Sequence, residues 1–231
     1  MKYSVDRQEA LRYLGYSGQR VEGDFRKRFD AIVAACERGL HPTFVTQIFD
    51  ADDTQKDAEG KPCITLPGTT LVFSGEDIYA HLQGAHRVAL MACTLGMQSE
   101  RELRRYNARS PLDALIYGAA ASSLVEQVAD AAEAKVVAQA TQAGLFTGSR
   151  YSPGYGDFSL DIQPQFLECL GTPRRMGLSA TASNFLIPTK SITAVLGLFD
   201  QPPAAVPSTC DTCTMKQFCS IKASGETCYE Q

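Results

Sequence analysis

The sequence has no apolar run long enough to cross a membrane. A transmembrane helix needs roughly 20 consecutive, predominantly apolar residues. The longest uncharged runs, such as residues 136–149, contain Gln, Thr, Ser and Gly. The N-terminal stretch MKYSVDRQE also lacks the apolar core of a secretion signal. We therefore expect a cytoplasmic protein that has no membrane partner and whose cysteines do not form a disulfide framework.

The chain also lacks the basic excess that is typical of nucleic-acid-binding proteins. Its 22 Lys and Arg residues are outnumbered by 26 Asp and Glu residues, which gives a formal net charge of −4. Because a nucleic-acid interface needs a basic face to neutralise phosphates, we expect no nucleic-acid partner. The length of 231 residues suits one sizeable globular domain, or a domain with a short appendage.

The strongest helix signal begins at Ser110. Ser110 can cap the helix, Pro111 suits the first helical position, and the charge of Asp113 suits the positive helix end. Alanine-rich sequence continues to about Gln142, and Gly144 can end the helix. The pattern predicts one long helix that packs closely against a neighbour.

Three apolar segments predict strands, at residues 44–49, 87–94 and 191–199. The segment at 87–94 is almost wholly apolar, which favours a buried strand. Between the first two segments, Ser74 is suited to cap a short helix that runs through Leu82.

The most specific feature is the loop Arg150-Tyr151-Ser152-Pro153-Gly154-Tyr155. One interpretation is a surface turn with a solvated arginine. The other is a small-molecule site, in which the arginine binds a carboxylate, the glycine allows close approach and the tyrosine forms a wall. Composition alone leaves both open.

The motif Arg150-x-x-x-Gly154-Tyr155 resembles the Arg-x-x-x-Gly-Tyr motif of the activation domain of cobalamin-dependent methionine synthase. Two further stretches are similar to that family and stand in the expected order. Residues 89–96 resemble its strand with an x-Thr-x-Gly turn, and residues 176–198 resemble its short strand, Pro-x-x-Ser turn and final apolar strand.

The resemblance covers about residues 65–200 and implies an organisation of the chain. It implies an α+β fold with a bent antiparallel sheet flanked by helices. We expect an N-terminal helical segment with the first strand over residues 1–60 and an activation-domain-like core over residues 61–200. A Pro-rich linker and a Cys-rich tail complete the chain over residues 201–231.

The resemblance also implies a cofactor and a set of binding residues. In the family this domain holds S-adenosylmethionine for the remethylation of lapsed cob(II)alamin. Arg150 is then expected to contact the methionyl carboxylate, with Gly154 and Tyr155 as the close-approach and wall positions. Glu126 matches the acidic contact on the family's long helix and would face the ligand's amine or sulfonium; its alternative is a solvated helix glutamate. No residue of the chain is expected to be catalytic, because the corrinoid carries the reacting atom.

Departures from the family suggest a separate protein that works in trans. The segment after Tyr155 lacks the family's histidine, and the corrinoid-ligating Asp-x-His-x-x-Gly pattern is absent from the chain. We expect the cobalamin to be carried by a partner, which is a methionine synthase core or a related corrinoid protein. A flavodoxin- or ferredoxin-like protein would supply the electron. The alternative is an activator of another corrinoid methyltransferase.

Four of the eight cysteines fall near the C-terminus and suggest a metal site. Thiolates favour zinc or an iron–sulfur cluster, and the first pair has the close spacing that both use. The alternatives are a redox-active pair or free thiols, and the spacing does not decide between them. If a metal binds, the chain could instead be a redox accessory protein. The candidate ligands are Cys210, Cys213, Cys219 and Cys228.

Overall fold

A computed structural model describes residues 3–16 and 19–203 of the chain. The candidate metal ligands Cys210, Cys213, Cys219 and Cys228 lie outside the described residues, so zinc or cluster binding there stays a prediction. Within the described ranges, no helix is long and apolar enough to span a membrane. The same ranges contain no group of three or more His, Cys, Asp or Glu residues arranged to hold a metal ion.

The described residues form seven α-helices, a single 3-10 turn at Leu160–Ile162, and eight strands. The helices are α1 (Arg7–Tyr13), α2 (Gly23–Gly39), α3 (Glu76–Leu82), α4 (Met97–Asn107), α5 (Pro111–Gln142), α6 (Gln163–Cys169) and α7 (Thr172–Met176). The strands are β1 (Thr43–Asp50), β2 (Cys63–Thr65), β3 (Val72–Ser74), β4 (Arg87–Thr94), β5 (Phe146–Thr147), β6 (Ser179–Ala180), β7 (Leu186–Ile187) and β8 (Ser191–Phe199).

A four-stranded antiparallel sheet forms the centre of the fold, in the order β1-β4-β8-β5. Strands β4 and β8 pair along the whole of β4, from Arg87 opposite Leu198 to Thr94 opposite Ser191. The predicted strands at 44–49, 87–94 and 191–199 are confirmed within one residue at each end. Two short hairpins, β2-β3 and β6-β7, lie outside this sheet.

Both faces of the sheet are buried, and each contacts its own apolar core. Along β4, Ala89 and Met91 belong to a first core with α1, α2 and α5. Val88 and Leu90 belong to a second core with β2, β3, α3 and α6. Because successive side chains of a strand point to opposite faces, one apolar strand supplies both cores. The α+β prediction, with helices flanking an antiparallel sheet, is therefore confirmed.

Helix α5 is the largest element that covers the sheet. It begins where the sequence predicted, since the Ser110 hydroxyl accepts the Asp113 N–H at 3.3 Å. Small residues such as Ala121 and Ala129 are completely buried along it. They allow the helix to approach β4 closely.

Two alanines two positions apart on α5 test this packing. Ala132 is fully buried in the first core, whereas Ala134 is exposed. We expect Ala132→Leu to reduce the free energy of unfolding by about 1–3 kcal/mol, because three extra carbons at a fully buried position force neighbouring side chains to shift. Ala134→Leu should change it by about 0.5 kcal/mol or less. Urea unfolding of both variants is the measurement, and equal midpoints would contradict the close packing.

Candidate functional site

The segment that leads into the predicted binding loop continues the sheet beyond β5. The N–H of Gly148 donates to the carbonyl oxygen of Gly197 at 2.9 Å. Tyr151 and Val195 exchange two backbone hydrogen bonds, of 3.0 and 2.9 Å. The chain therefore runs antiparallel to β8 up to Tyr151.

This pairing decides where Arg150 points. The ring of Tyr151 packs against the second core. Because neighbouring residues in extended backbone face opposite ways, the Arg150 side chain points to the α5 face of the sheet. Its side chain is 25% exposed, so most of it is covered. The arginine is not the solvated residue of a surface turn.

Arg150 lies against a row of three carboxylates on α5. Its Nη2 donates to Asp130 Oδ1 at 2.7 Å, and its Nε lies 2.8 Å from Glu133 Oε2. Its Nη1 lies 3.8 Å from Glu126 Oε2. The acids are four and three positions apart, and this spacing places them on one face of a helix. The structure thus brings together two residues of the predicted site, Arg150 and Glu126, and adds Asp130 and Glu133.

The row carries more negative charge than the single guanidinium neutralises. Burial raises the pKa of Glu126, while Arg150 lowers it and the neighbouring acids Asp130 and Glu9 raise it. The pKa of Glu133 is also raised, first by burial and then by Asp130, against the opposing effect of Arg150. Such a surplus favours a ligand with positive charge.

The buried Nη1 nitrogen of Arg150 makes no hydrogen bond to the described residues. A buried charged donor without a partner is costly, and a ligand carboxylate can satisfy it. Nη1 therefore keeps an unused donor 3.8 Å from Glu126, while Nη2 and Nε are held by Asp130 and Glu133.

Gly154 and Tyr155 form a tight turn after Arg150. Gly154 has a φ of 98°, a conformation that favours glycine, and its N–H donates to the Phe158 carbonyl at 2.7 Å. Tyr155 is 56% exposed, and its ring packs edge-on to Tyr151 with ring centroids 6.1 Å apart. Tyr155 thus stands at the surface beside a residue of the second core.

The turn is attached to α3 by Asp157. The Asp157 carboxylate accepts the N–H groups of Glu76 and Asp77, at 3.1 Å for Asp77. The prediction that Ser74 caps this helix is wrong, since Ser74 ends β3 and Gly75 holds the cap position without a side-chain cap. A carboxylate 81 residues away takes over that role.

Asp130 and Glu133 were not identified from the sequence, and neither was the contact of Asp157 with α3. The first two carry a readable signal, because acids four and seven positions after Glu126 must share its helix face. Asp157 carries none, since only the tertiary fold brings it to α3.

Comparison with known proteins finds a likeness among solved structures. No family model and no curated protein matches the chain. Among solved structures, the crystal structure of the MetH reactivation domain bound to AdoHcy superposes with a TM-score of 0.63 and 15% sequence identity. The alignment covers 96% of this chain and 82% of that one.

The chain shares the fold of the MetH reactivation domain. The resemblance seen in three short motifs therefore extends to the whole described architecture. At 15% identity the likeness establishes the fold alone.

The charge balance of the site predicts a pH-dependent effect of removing Arg150. Without the guanidinium, the pKa values of Glu126 and Glu133 rise further above their unfolded values. A carboxyl group whose pKa is higher in the folded than in the unfolded chain destabilises the fold at a pH above its folded pKa. Below its unfolded pKa it has no such effect. Arg150→Met should therefore cost more stability at about pH 7 than at about pH 4.

Urea unfolding at the two pH values measures this difference. Arg174→Met is the control, because Arg174 is an exposed arginine on α7. A penalty for Arg150→Met that is the same at both pH values would contradict the coupling between Arg150 and the acids of α5.

Proposed function

We propose that the chain binds S-adenosylmethionine beside Arg150 and assists the reductive methylation of cob(II)alamin held by a separate methionine synthase. One observation carries the proposal. The motif arginine lies against a surplus of carboxylates, in a chain with the fold of a domain that was crystallised with AdoHcy.

The charges of S-adenosylmethionine match those of the site. Its carboxylate can accept a hydrogen bond from Nη1 of Arg150, which makes none among the described residues, while its ammonium and sulfonium groups suit the acids on α5. Glu126 lies 3.8 Å from that nitrogen and is the acceptor we assign to the ammonium. AdoHcy lacks the sulfonium charge, so the acidic surplus favours the methyl donor over its product.

The chain's own part in the reaction is to position the methyl group. A flavodoxin- or ferredoxin-like donor supplies one electron to the partner's cob(II)alamin. The cob(I)alamin formed attacks the sulfonium methyl, so that a cobalt–carbon bond forms and the sulfur–methyl bond breaks. The bonding pair stays on sulfur, and the products are methylcobalamin and AdoHcy. Holding both reactants in line lowers the entropic part of the barrier.

Calorimetry with S-adenosylmethionine tests the binding step. Loss of a charge-assisted bond to a carboxylate should weaken binding by tenfold or more, which corresponds to about 1.4 kcal/mol. We expect that loss in Arg150→Ala and a smaller one in Arg150→Lys, which keeps the charge without the planar fork. Arg174→Ala should bind like wild type. Absence of wild-type binding, or equal affinity in all variants, would contradict the site.

Proton release is a second signature of the same site. A cationic ligand lowers the raised pKa values of Glu126 and Glu133, so binding in mildly acid buffer should release protons. Affinity should consequently fall as pH falls. Titrations in two buffers of different ionisation enthalpy measure the release, and Glu126→Gln should reduce it. Identical heats in both buffers would oppose this account.

A methionine synthase fragment that lacks its own reactivation domain tests the reaction. With cob(II)alamin, a reductant and S-adenosylmethionine, adding the chain should produce the absorption spectrum of methylcobalamin. Wild-type binding without methylation would overturn the choice of partner and direct attention to another corrinoid protein.

A further inference from the structure

Helix α3 holds the candidate loop at both of its ends. We call residues 149–157 the binding loop. At its exit, Asp157 accepts the N–H groups that open α3. At its entrance, Nε2 of His81, in the last turn of α3, lies 2.9 Å from the carbonyl oxygen of Ser149. One short helix therefore contacts the chain on either side of Arg150 and Gly154.

The contact at the exit leaves no room for side chains on the backbone. A Cβ added to Gly156 would collide with the Asp77 carboxylate and the Tyr151 hydroxyl. One added to Gly75 would collide with the Asp157 carboxylate. Both glycines also have positive φ values, 51° for Gly156 and 139° for Gly75. The backbone at Gly75 and the backbone at Gly156 therefore lie too close to the opposite segment for either glycine to be replaced.

The contact at the entrance is a hydrogen bond that the imidazole donates. Burial lowers the pKa of His81, although the bond to Ser149 opposes this shift, so the ring is neutral at neutral pH. A carbonyl oxygen only accepts, which requires Nε2 to carry the proton. The ring also packs against Tyr151, with centroids 4.8 Å apart.

Helix α3 is anchored by its apolar side chains in the second core. Ile78 and Leu82 are completely buried in the second core. Asp157, by contrast, is an exposed residue. Removing its carboxylate therefore frees the loop without emptying the core.

We infer that α3 is a positioning element for the proposed ligand site, and that Asp157 and His81 fix the course of the binding loop. The inference rests on the proposed function. Neither residue needs to touch the ligand. They keep the loop ordered before binding, so that less conformational entropy is lost when the ligand arrives.

Asp157→Ala tests the inference, with Asp57→Ala as a matched control. Asp57 also accepts two backbone N–H groups, those of Glu59 and Lys61, but within its own turn. By the usual effect of losing a cap, Asp157→Ala should weaken S-adenosylmethionine binding by about threefold to tenfold. It should also speed amide hydrogen exchange at residues 154–158. Asp57→Ala should leave both unchanged.

Two further variants separate positioning from general destabilisation. Asp157→Asn retains one carbonyl acceptor and should recover part of the affinity. His81→Phe keeps an aromatic ring but loses the N–H that donates to Ser149 at the loop entrance, so it should also weaken S-adenosylmethionine binding. Exchange in β4 should stay at the wild-type rate in all variants.

The outcomes distinguish the two proposals. Unchanged loop exchange in Asp157→Ala, or faster exchange with unchanged affinity, would overturn the positioning role. Failure of the wild type to bind S-adenosylmethionine would overturn the proposed function, while the exchange data would still report whether α3 orders the loop.

Discussion

The site depends on an unequal pairing of charges, in which one guanidinium faces three carboxylates. Arg150 is held by Asp130 and Glu133, and its buried Nη1 has no hydrogen-bond partner among the described residues. Within the described residues, three acids share one cation, and one nitrogen of that cation lacks a hydrogen-bond acceptor. The proposed ligand, a zwitterion with an additional positive charge, would supply both an acceptor for the arginine and cations for the acids.

Much of the fold could be predicted from local signals in the sequence. The long helix was placed correctly because Ser110 and Pro111 are strong start signals and the alanines that follow favour helix. The buried strand at 87–94 was found from its apolar run alone. The antiparallel sheet followed from the resemblance of three motifs, and the fold likeness to a solved domain confirmed it.

The parts that escaped prediction are those created by contacts distant in sequence. Ser74 has the right chemistry for a cap, yet β3 takes it into a hairpin and Asp157 caps the helix instead. Within the site, Arg150 and Glu126 were identified from their positions in motifs. Asp130 and Glu133 contact Arg150 because strand pairing directs its side chain toward α5, and this pairing is a tertiary feature. The contacts between α3 and the binding loop could not be predicted for the same reason, since local propensity carries no information on which distant residues a loop contacts.

The pairing of residues 148–151 with β8 also restricts how related chains can diverge. A one-residue insertion or deletion between Thr147 and Tyr151 would exchange the two faces of the strand. The guanidinium would then enter an apolar core, and an aromatic ring would meet the acids of α5. Changes in loop length are therefore compatible with this architecture only downstream of Tyr151, where the backbone has left the sheet.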